Sequence, residues 1–333
     1  MQFSVDLVAR LGASVPRTAP AHLVMAIVVA TSLTTPVALA GQGLTFNQGQ
    51  SVAPAFEGWE QNEDGTFSLL FGYLNRNWEE TPNVTVGPSN SFSPGAADRG
   101  QPTYFLPRRN RFVFKVEVPA DFGDQELVWT LNVAGQELKA YGSLLPEYFL
   151  DNVVIMSETG TLGAGTSDPE LREHEPPVVS LETPQEIEAR VGEPVRLAAH
   201  VADDGLPEPD DNRLPVTEEG ELDVGRAKQM IPSRITVEKV TGLHMTWFVY
   251  RAPEGVDARG SVRFNPPQIH PWEDTRPYSN SPWAPFWVPP TPPEDGRWTT
   301  EVTFDEPGTY VLRGRADDGG LLTDNDVTIR VAE

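Results

Sequence analysis

Apolar and polar residues alternate along many short stretches of the chain, and residues 111–118 are the clearest of them. Lys115 and Glu117 fall on one face. The opposite face carries Phe112, Phe114, Val116 and Val118. A period of two residues predicts a half-buried β-strand. Further strands are predicted at 67–74, 127–133, 138–141 and 152–156, and then at 195–201, 245–250, 261–264, 298–304, 310–315 and 327–331. No long apolar stripe of helical period interrupts this series, so the pattern predicts an all-β protein.

The spacing of these strands divides the chain into two parts. Residues 44–156 are predicted to form an antiparallel β-sandwich-like domain, and residues 178–332 a second antiparallel sandwich. Between them, 157–168 is small, polar and Gly-rich, 170–175 is charged, and Pro176-Pro177 ends the segment. Such a composition buries no core, so 157–177 is predicted to be a Gly/Pro-rich linker.

The N-terminus has the pattern of a secretory signal peptide over residues 1–40. Arg10 and Arg17 precede an apolar run at 23–33, and Ala38 and Ala40 suit cleavage after residue 40. The run is shorter than the roughly 20 residues that span a bilayer. We therefore expect an exported protein, periplasmic or extracellular, with no transmembrane segment after cleavage. An uncleaved N-terminal anchor is the alternative.

Composition excludes several kinds of chemistry. The 333 residues include no cysteine, which rules out disulfides, thiol catalysis and cysteine-bound zinc. The formal net charge of −23 repels nucleic acid phosphates and anionic lipids, so no nucleic acid partner is expected. The same charge favours solubility and the binding of cations.

The second domain resembles PKD-like and related immunoglobulin-like modules of bacterial exported proteins. The sequence from Glu306 to Val331 (EPGTYVLRGRADDGGLLTDNDVTIRV) looks like the last two strands of such modules, and Gly192 to Leu197 followed by Asp203-Asp204-Gly205 resembles their second strand and its loop. Trp247 resembles the buried aromatic residue of the third strand. The resemblance covers about 178–332 and implies an Ig-like β-sandwich that acts as a spacer or as a binding or adhesion unit.

Two acidic loops and one aromatic insertion are predicted to lie at the same end of this second sandwich, because of the strand directions in an Ig-like Greek key. Clustered carboxylates suit Ca²⁺, which prefers oxygen ligands. The candidate calcium ligands are Asp203, Asp204, Asp317, Asp318, Asp324 and Asp326. A solvated acidic loop without any metal is the alternative, and no other cofactor is expected.

The insertion, residues 266–297, combines ten prolines with five aromatic residues. Exposed aromatic rings stack on sugars or anchor a protein partner, and prolines hold such a platform stiff. The candidate ligand-binding residues are Trp272, Tyr278, Trp283 and Trp287. The alternative is that these side chains fold back over the sandwich as a small additional core.

Catalytic motifs are not found in the sequence. The histidines are scattered, and neither an HExxH motif nor a GxSxG nucleophile elbow occurs. We therefore predict a non-enzymatic exported binding or interaction protein that contacts a glycan or a protein partner through the loop-rich end of the second domain. A polysaccharide-active enzyme and a purely structural spacer are the two alternatives.

Overall fold

The computed structural model describes residues 46–159, 169–209, 217, 224–227, 241–270 and 291–333, so the predicted signal peptide lies outside the described residues. Fourteen strands occur in this part of the chain. In the first half they are β1 (Val52–Gln61), β2 (Phe67–Asn75), β3 (Asn90–Ser93), β4 (Arg108–Val118), β5 (Leu127–Val133) and β6 (Gln136–Gly142). In the second half they are β7 (Val178–Leu181), β8 (Glu186–Arg190), β9 (Val195–Ala202), β10 (His244–Arg251), β11 (Val262–Asn265), β12 (Arg297–Phe304), β13 (Gly308–Asp317) and β14 (Leu322–Ala332). The helices are α1 (Asn152–Thr159), α2 (Val224–Ala227) and α3 (Ala258–Ser261), with 3₁₀ turns at Pro146–Tyr148 and Glu170–Arg172. The all-β prediction is confirmed, and none of the described helices is long and apolar enough to cross a membrane.

The first sandwich consists of two three-stranded antiparallel sheets, ordered β1-β2-β4 and β3-β5-β6. Aromatic rings fill the space between them. Trp129 is fully buried and stacks on Phe92, while Phe114 meets its ring edge-on at 5.0 Å. The indole N–H of Trp129 donates to Asn90 Oδ1 at 2.9 Å, which satisfies the one polar atom that this ring brings into the core.

Strand β4 departs from the predicted alternation at Phe112. This residue adopts a positive φ of 49°, and the pairing of β4 with β2 shifts register opposite Phe71 and Tyr73. A β-bulge of this kind turns the side chains that precede it. Phe112 therefore packs with Leu70 and Leu150 in a separate cluster, and the prediction that it shares a face with Phe114 is wrong.

The segment after the first sandwich is helix α1 and not the strand predicted at 152–156. Asp151 explains the difference, because its side chain accepts a hydrogen bond from Val154 N at 2.8 Å and so caps the helix N-terminus. The cap outweighs the β-branched residues that favoured a strand. Met156 on this helix is fully buried against Leu321 of the second sandwich.

The second sandwich has the strand order of an Ig-like module. One sheet runs β10-β13-β14-β8 and the other β11-β12-β9-β7, with β8 pairing parallel to β14 and every other pair antiparallel. This arrangement corresponds to two Greek-key sheets that close over one core. The Ig-like prediction is thus confirmed at the level of topology, whereas the PKD-like assignment stays a prediction.

Two aromatic residues make contacts that are typical of an Ig-like core. Trp247 on β10 is 2% exposed and covers Gly314 of β13, where a Cβ atom would lie within 3.0 Å of the indole ring. Tyr310 near the start of β13 donates its hydroxyl to Glu306 O at 2.9 Å, which is the hydrogen bond of a tyrosine corner. These contacts fix the ends of the strands that lead into the loops.

The outer face of β13 and β14 is covered by the first sandwich. Arg313 and Arg315 alternate on β13 and lie directly opposite Asp326 and Asp324 on β14. Each arginine donates twice to its aspartate, at 2.7 and 2.8 Å. Both arginines are almost completely buried, and Arg313 also stacks on the ring of Tyr250 at 3.6 Å.

The same two arginines reach across the junction to β4. Arg313 donates to Val113 O, and Arg315 lies 3.5 Å from Phe112 O, so the guanidinium groups cover carbonyls next to the bulge. Strand β4 is the last in the order of its sheet, so its edge away from β2 has no neighbouring strand in the described structure. The arginines thus replace the missing strand with donors from the second sandwich.

Backbone hydrogen bonds extend this junction. Thr103 N and Tyr104 N both donate to Tyr250 O, and Ala252 N donates to Thr103 Oγ1 at 3.1 Å. Arg251 binds Asp98 with two hydrogen bonds of 3.0 and 2.7 Å. Residues 45–333 consequently form one compact unit that includes both sandwiches.

Replacing Arg315 tests how much this junction contributes to the free energy of unfolding. We expect Arg315→Met to lower the free energy of unfolding by about 3–5 kcal/mol, because it leaves Asp324 buried with an incomplete ion pair. The double variant R315M/D324L should recover much of the loss. The matched control is Arg330→Met, which removes an exposed pair with Glu186 and should change the free energy by less than about 1 kcal/mol. Urea denaturation measures the free energy of unfolding of all three variants. Equal losses in the two single variants would contradict the conclusion that the buried Arg315–Asp324 pair stabilises the junction.

Candidate functional site

The loops that the sequence placed at one end of the second sandwich do meet there, as far as they are described. Gly242 N, at the end of the long segment after β9, donates to Asp318 O at 2.7 Å. Val201 N at the end of β9 donates to Gly296 O at 2.9 Å, which brings in the insertion where it returns to β12. The described parts of the two acidic loops thus share one pole of the domain, as predicted, and residues 210–216 and 218–223 of the first loop lie outside the described residues.

His174 lies between the two acidic loops. Its side chain is fully buried, with Nδ1 2.9 Å from Asp204 Oδ2 and Nε2 3.1 Å from Asp318 Oδ2. Asp204 also accepts hydrogen bonds from Glu175 N at 3.0 Å and Leu206 N at 2.9 Å. The ring therefore joins the segment before β7 to the loops after β9 and β13. We call His174, Asp204 and Asp318 the histidine bridge.

The two aspartates of the histidine bridge differ in their surroundings. Burial raises the pKa of Asp318 to about 7, with a further increase from Asp317 and partial relief from backbone N–H donors and His174. For Asp204, desolvation acts in the same upward direction. Hydrogen bonds from Glu175, His174 and Leu206 outweigh it and hold the pKa of that carboxyl below its usual value. The bridge thus pairs a strongly ionised carboxylate with one that retains its proton more readily.

The six aspartates predicted to bind calcium are divided between two places. Asp203, Asp204, Asp317 and Asp318 lie at the loop end near His174, whereas Asp324 and Asp326 lie within β14 and pair with Arg315 and Arg313. Within the described ranges, no group of three or more His, Asp or Glu side chains is arranged to hold a metal ion. Calcium binding stays a prediction. Asp203 Oδ1 and Asp318 Oδ2 are buried without a hydrogen-bond partner in the described structure, and Asp318 Oδ2 faces His174, so Asp203 Oδ1 is the better candidate for a calcium ligand.

The predicted aromatic binding residues Trp272, Tyr278, Trp283 and Trp287 all lie outside the described residues. The structure shows a groove between the two sandwiches. One end of this groove is lined by Gln268 and His270, at the start of the insertion 266–297. Its cavity volume is about 480 Å³. Aromatic rings of both sandwiches line it, namely Trp78 and Tyr104 from the first and Phe248 and Phe264 from the second. We call this cavity the junction groove.

Polar side chains complete the junction groove. Glu79, Thr81 and Arg259 line it and also line a neighbouring polar cavity of about 480 Å³. At the other end, Gln268 belongs both to the groove and to a cavity of about 440 Å³ beside Trp298. The three cavities therefore adjoin along the junction and reach the loop-rich end of the second sandwich.

A second surface feature lies on the first sandwich. Tyr141, Leu145, Tyr148 and Phe149 are each 43–53% exposed within a span of nine residues. Phe149 and Tyr148 pack edge-on against Trp59 and Phe56 of β1, with ring centroids 5.1 and 5.4 Å apart. The segment can lie this close because residue 58 is glycine, where a Cβ atom would come within 2.4 Å of Tyr148 O. We call these residues the aromatic patch.

Comparisons with known proteins give distant matches to solved structures. No known family model matches the chain, and no curated protein matches it. The SrpA adhesin of Streptococcus sanguinis is 15% identical over 48% of this chain and 58% of that one, with a TM-score of 0.23. The fibronectin(III)-like modules of CbhA from Clostridium thermocellum are 10% identical over 84% and 94%, with a TM-score of 0.20. The D0-D1 domain of Intimin is 10% identical over 83% and 97%, with a TM-score of 0.21. The chain thus spans 58% of the adhesin's length, and at these scores none of the three supports a conclusion about function.

The calcium prediction is tested by thermal unfolding with and without the metal. Calcium at about one hundred times its dissociation constant should stabilise the native state by about 2.7 kcal/mol, and excess EDTA should remove the effect. Asp203→Asn should abolish the stabilisation, while Asp305→Asn, a change in an exposed pair with Arg263, should leave it intact. An unchanged midpoint at millimolar calcium would eliminate calcium as a ligand.

Proposed function

We propose that the protein is an exported, non-enzymatic binding protein that holds a neutral glycan in the junction groove. The observation that carries this proposal is the wall of the groove, where aromatic rings from both sandwiches stand beside hydrogen-bonding side chains. Rings stack on the apolar faces of sugars, and the side chains of Glu79 and Arg259 offer an acceptor and donors for hydroxyl groups. The net charge of −23 disfavours acidic polysaccharides.

The rigidity of the junction supports this site. Tyr104 donates its backbone N–H to Tyr250 O, and its hydroxyl lies 2.6 Å from Thr81 Oγ1, so this wall is held by both sandwiches. Arg108 stacks over Trp78 at 4.4 Å, which fixes the ring from one side. Binding to a preformed groove costs little conformational entropy. This low cost matters for a sugar, because its individual contacts with a protein are weak.

Export rests on the signal-like sequence at residues 1–40. The periplasm and the cell exterior fit equally well. The aromatic insertion at 266–297 begins where the groove ends, since Gln268 and His270 line the cavity. Trp283 and Trp287 of this insertion lie outside the described residues, and we propose that they bind the same glycan.

Retention on insoluble neutral polysaccharides, cellulose and chitin, tests the proposal. Wild-type protein should be retained on at least one of them, and Trp78→Ala should weaken binding by about fivefold or more because stacking area is lost. Trp283→Ala with Trp287→Ala should weaken it too. The matched control is Val178→Ala, a residue that is 63% exposed on the second sandwich and should have no effect. Retention on neither polymer, or equal retention of all variants, would refute a glycan site in the groove.

A protein partner is the second candidate, and the aromatic patch favours it. The carbonyl of Leu145 is already engaged, because Trp59 donates its indole N–H to it at 2.8 Å, and the exposed side chains of the patch are mainly apolar surface. Such a surface suits an apolar protein contact better than a sugar. Binding to a protein that is lost in Tyr148→Ser but kept in Trp78→Ala would assign the function to this patch.

A further inference from the structure

A second cavity adjoins the junction groove on the side of the second sandwich. It has a volume of about 440 Å³, and three residues line both spaces, namely Trp247, Pro267 and Gln268. This volume lies within the roughly 300–1,000 Å³ that is usual for small-molecule sites. Because Trp298 lines this cavity together with Trp247, we call it the indole cavity. A sugar held in the groove is therefore placed to extend a substituent into it.

The frame of the indole cavity is attached to both sheets of the second sandwich. Gln268 Oε1 accepts a hydrogen bond from Trp247 N of β10 at 2.9 Å. On the other sheet, Thr300 Oγ1 of β12 donates to Asn265 O at 3.2 Å. The segment 265–269 is thus bonded to β10 and to β12 at once, so this wall of the cavity is in place before any ligand binds.

Two hydrogen-bond donors at the indole cavity have no acceptor within the described structure. Trp247 and Trp298 come from opposite sheets, and the indole nitrogen of each is buried without a partner. Trp247 as a whole is 2% exposed. A buried N–H without an acceptor costs free energy and is rare in native structures. In the first sandwich, by contrast, Trp129 and Trp59 each donate to an oxygen of the chain. The two unsatisfied indoles therefore favour an acceptor that a ligand supplies.

The surroundings of the two nitrogens suit a neutral acceptor with an apolar end. Met245, Pro266 and Ile269 supply apolar wall, and the described residues that line the cavity include no lysine or arginine. A carboxylate would enter without a counter-charge, in a chain whose formal net charge is −23. A hydroxyl would bring a donor as well as an acceptor into apolar space. An acetamido group matches better, because its carbonyl only accepts and its methyl group is apolar.

We propose that the indole cavity binds the acetamido group of an N-acetylated amino sugar, and so makes the glycan site selective for polymers of such sugars. This proposal rests on the glycan-binding function of the junction groove and adds the class of sugar that the site prefers. The carbonyl oxygen of the acetamido group accepts from Nε1 of Trp247, of Trp298 or of both, and the methyl group packs on the apolar wall. Because both nitrogens are buried, the oxygen reaches them only when the side chains around them move. The amide N–H is next to the sugar ring and stays at the mouth of the cavity.

Calorimetric titration with two soluble tetramers tests the proposal. The β-linked tetramers of glucose and of N-acetylglucosamine, with the linkage of cellulose and chitin, differ only in the substituent on the second carbon of each ring. Wild-type protein should bind the N-acetylglucosamine tetramer about tenfold more tightly, as expected for one or two additional hydrogen bonds. Equal affinities, or tighter binding of the glucose tetramer, would overturn the proposal and leave the glycan function of the groove intact. Binding of neither tetramer would overturn both.

Trp298→Phe removes the indole N–H and keeps an aromatic ring. It should weaken binding of the N-acetylglucosamine tetramer by about fivefold and leave binding of the glucose tetramer unchanged. Trp78→Ala in the junction groove should weaken binding of both tetramers, because it removes stacking area that they share. The matched control is Trp59→Phe, the same replacement in the first sandwich, which should change neither affinity. A Trp298→Phe variant that keeps the wild-type preference would refute the proposal.

Should Trp298→Phe fail to fold, the wild-type protein decides. A new hydrogen bond changes the chemical shift of the donated proton, so the Nε1–H resonance of Trp247 or Trp298 should shift further with the N-acetylglucosamine tetramer than with the glucose tetramer. The Nε1–H resonance of Trp59, which already has an acceptor, should respond to neither. Shifts at Trp247 and Trp298 that are absent, or equal for the two tetramers, would count against an acetamido site.

Discussion

The paired arginines and aspartates on one face of the second sandwich are the interaction on which the rest of the structure depends. Arg313 and Arg315 would be very unfavourable to bury alone, and Asp326 and Asp324 make their burial tolerable by forming two bidentate pairs in register. The remaining donors reach the carbonyls of the bulged edge strand β4. An outer sheet face that is exposed in an isolated Ig-like module thus becomes the junction between two sandwiches.

This junction explains where the candidate sites lie. The groove exists because Trp78 and Tyr104 are held opposite Phe248 and Phe264, and a flexible connection would not keep these walls at a fixed distance. The histidine bridge lies at the loop-rich pole of the second sandwich. Through His174 it attaches the segment that composition alone predicts to be a linker.

Much of the fold could be predicted from period-two alternation, which depends only on local pattern. The failures have specific physical causes. Phe112 changes face because a bulge breaks the alternation, and α1 forms because the Asp151 cap outweighs β-branched residues. The role of His174 could not be predicted, since its partners lie 30 and 144 positions away and no spacing rule connects them. A signal for the junction was present, because Arg313-x-Arg315 and Asp324-x-Asp326 alternate on two strands of one hairpin and so must share a face.

Scanning calorimetry of the full chain at pH 6 is the most direct measurement of the claim that the two sandwiches form one body. The account predicts a single unfolding transition whose calorimetric enthalpy equals the van 't Hoff enthalpy, because breaking the junction exposes the buried arginines together with both cores. Two resolved transitions, or a calorimetric enthalpy about twice the van 't Hoff value, would show that the sandwiches unfold independently and would contradict it.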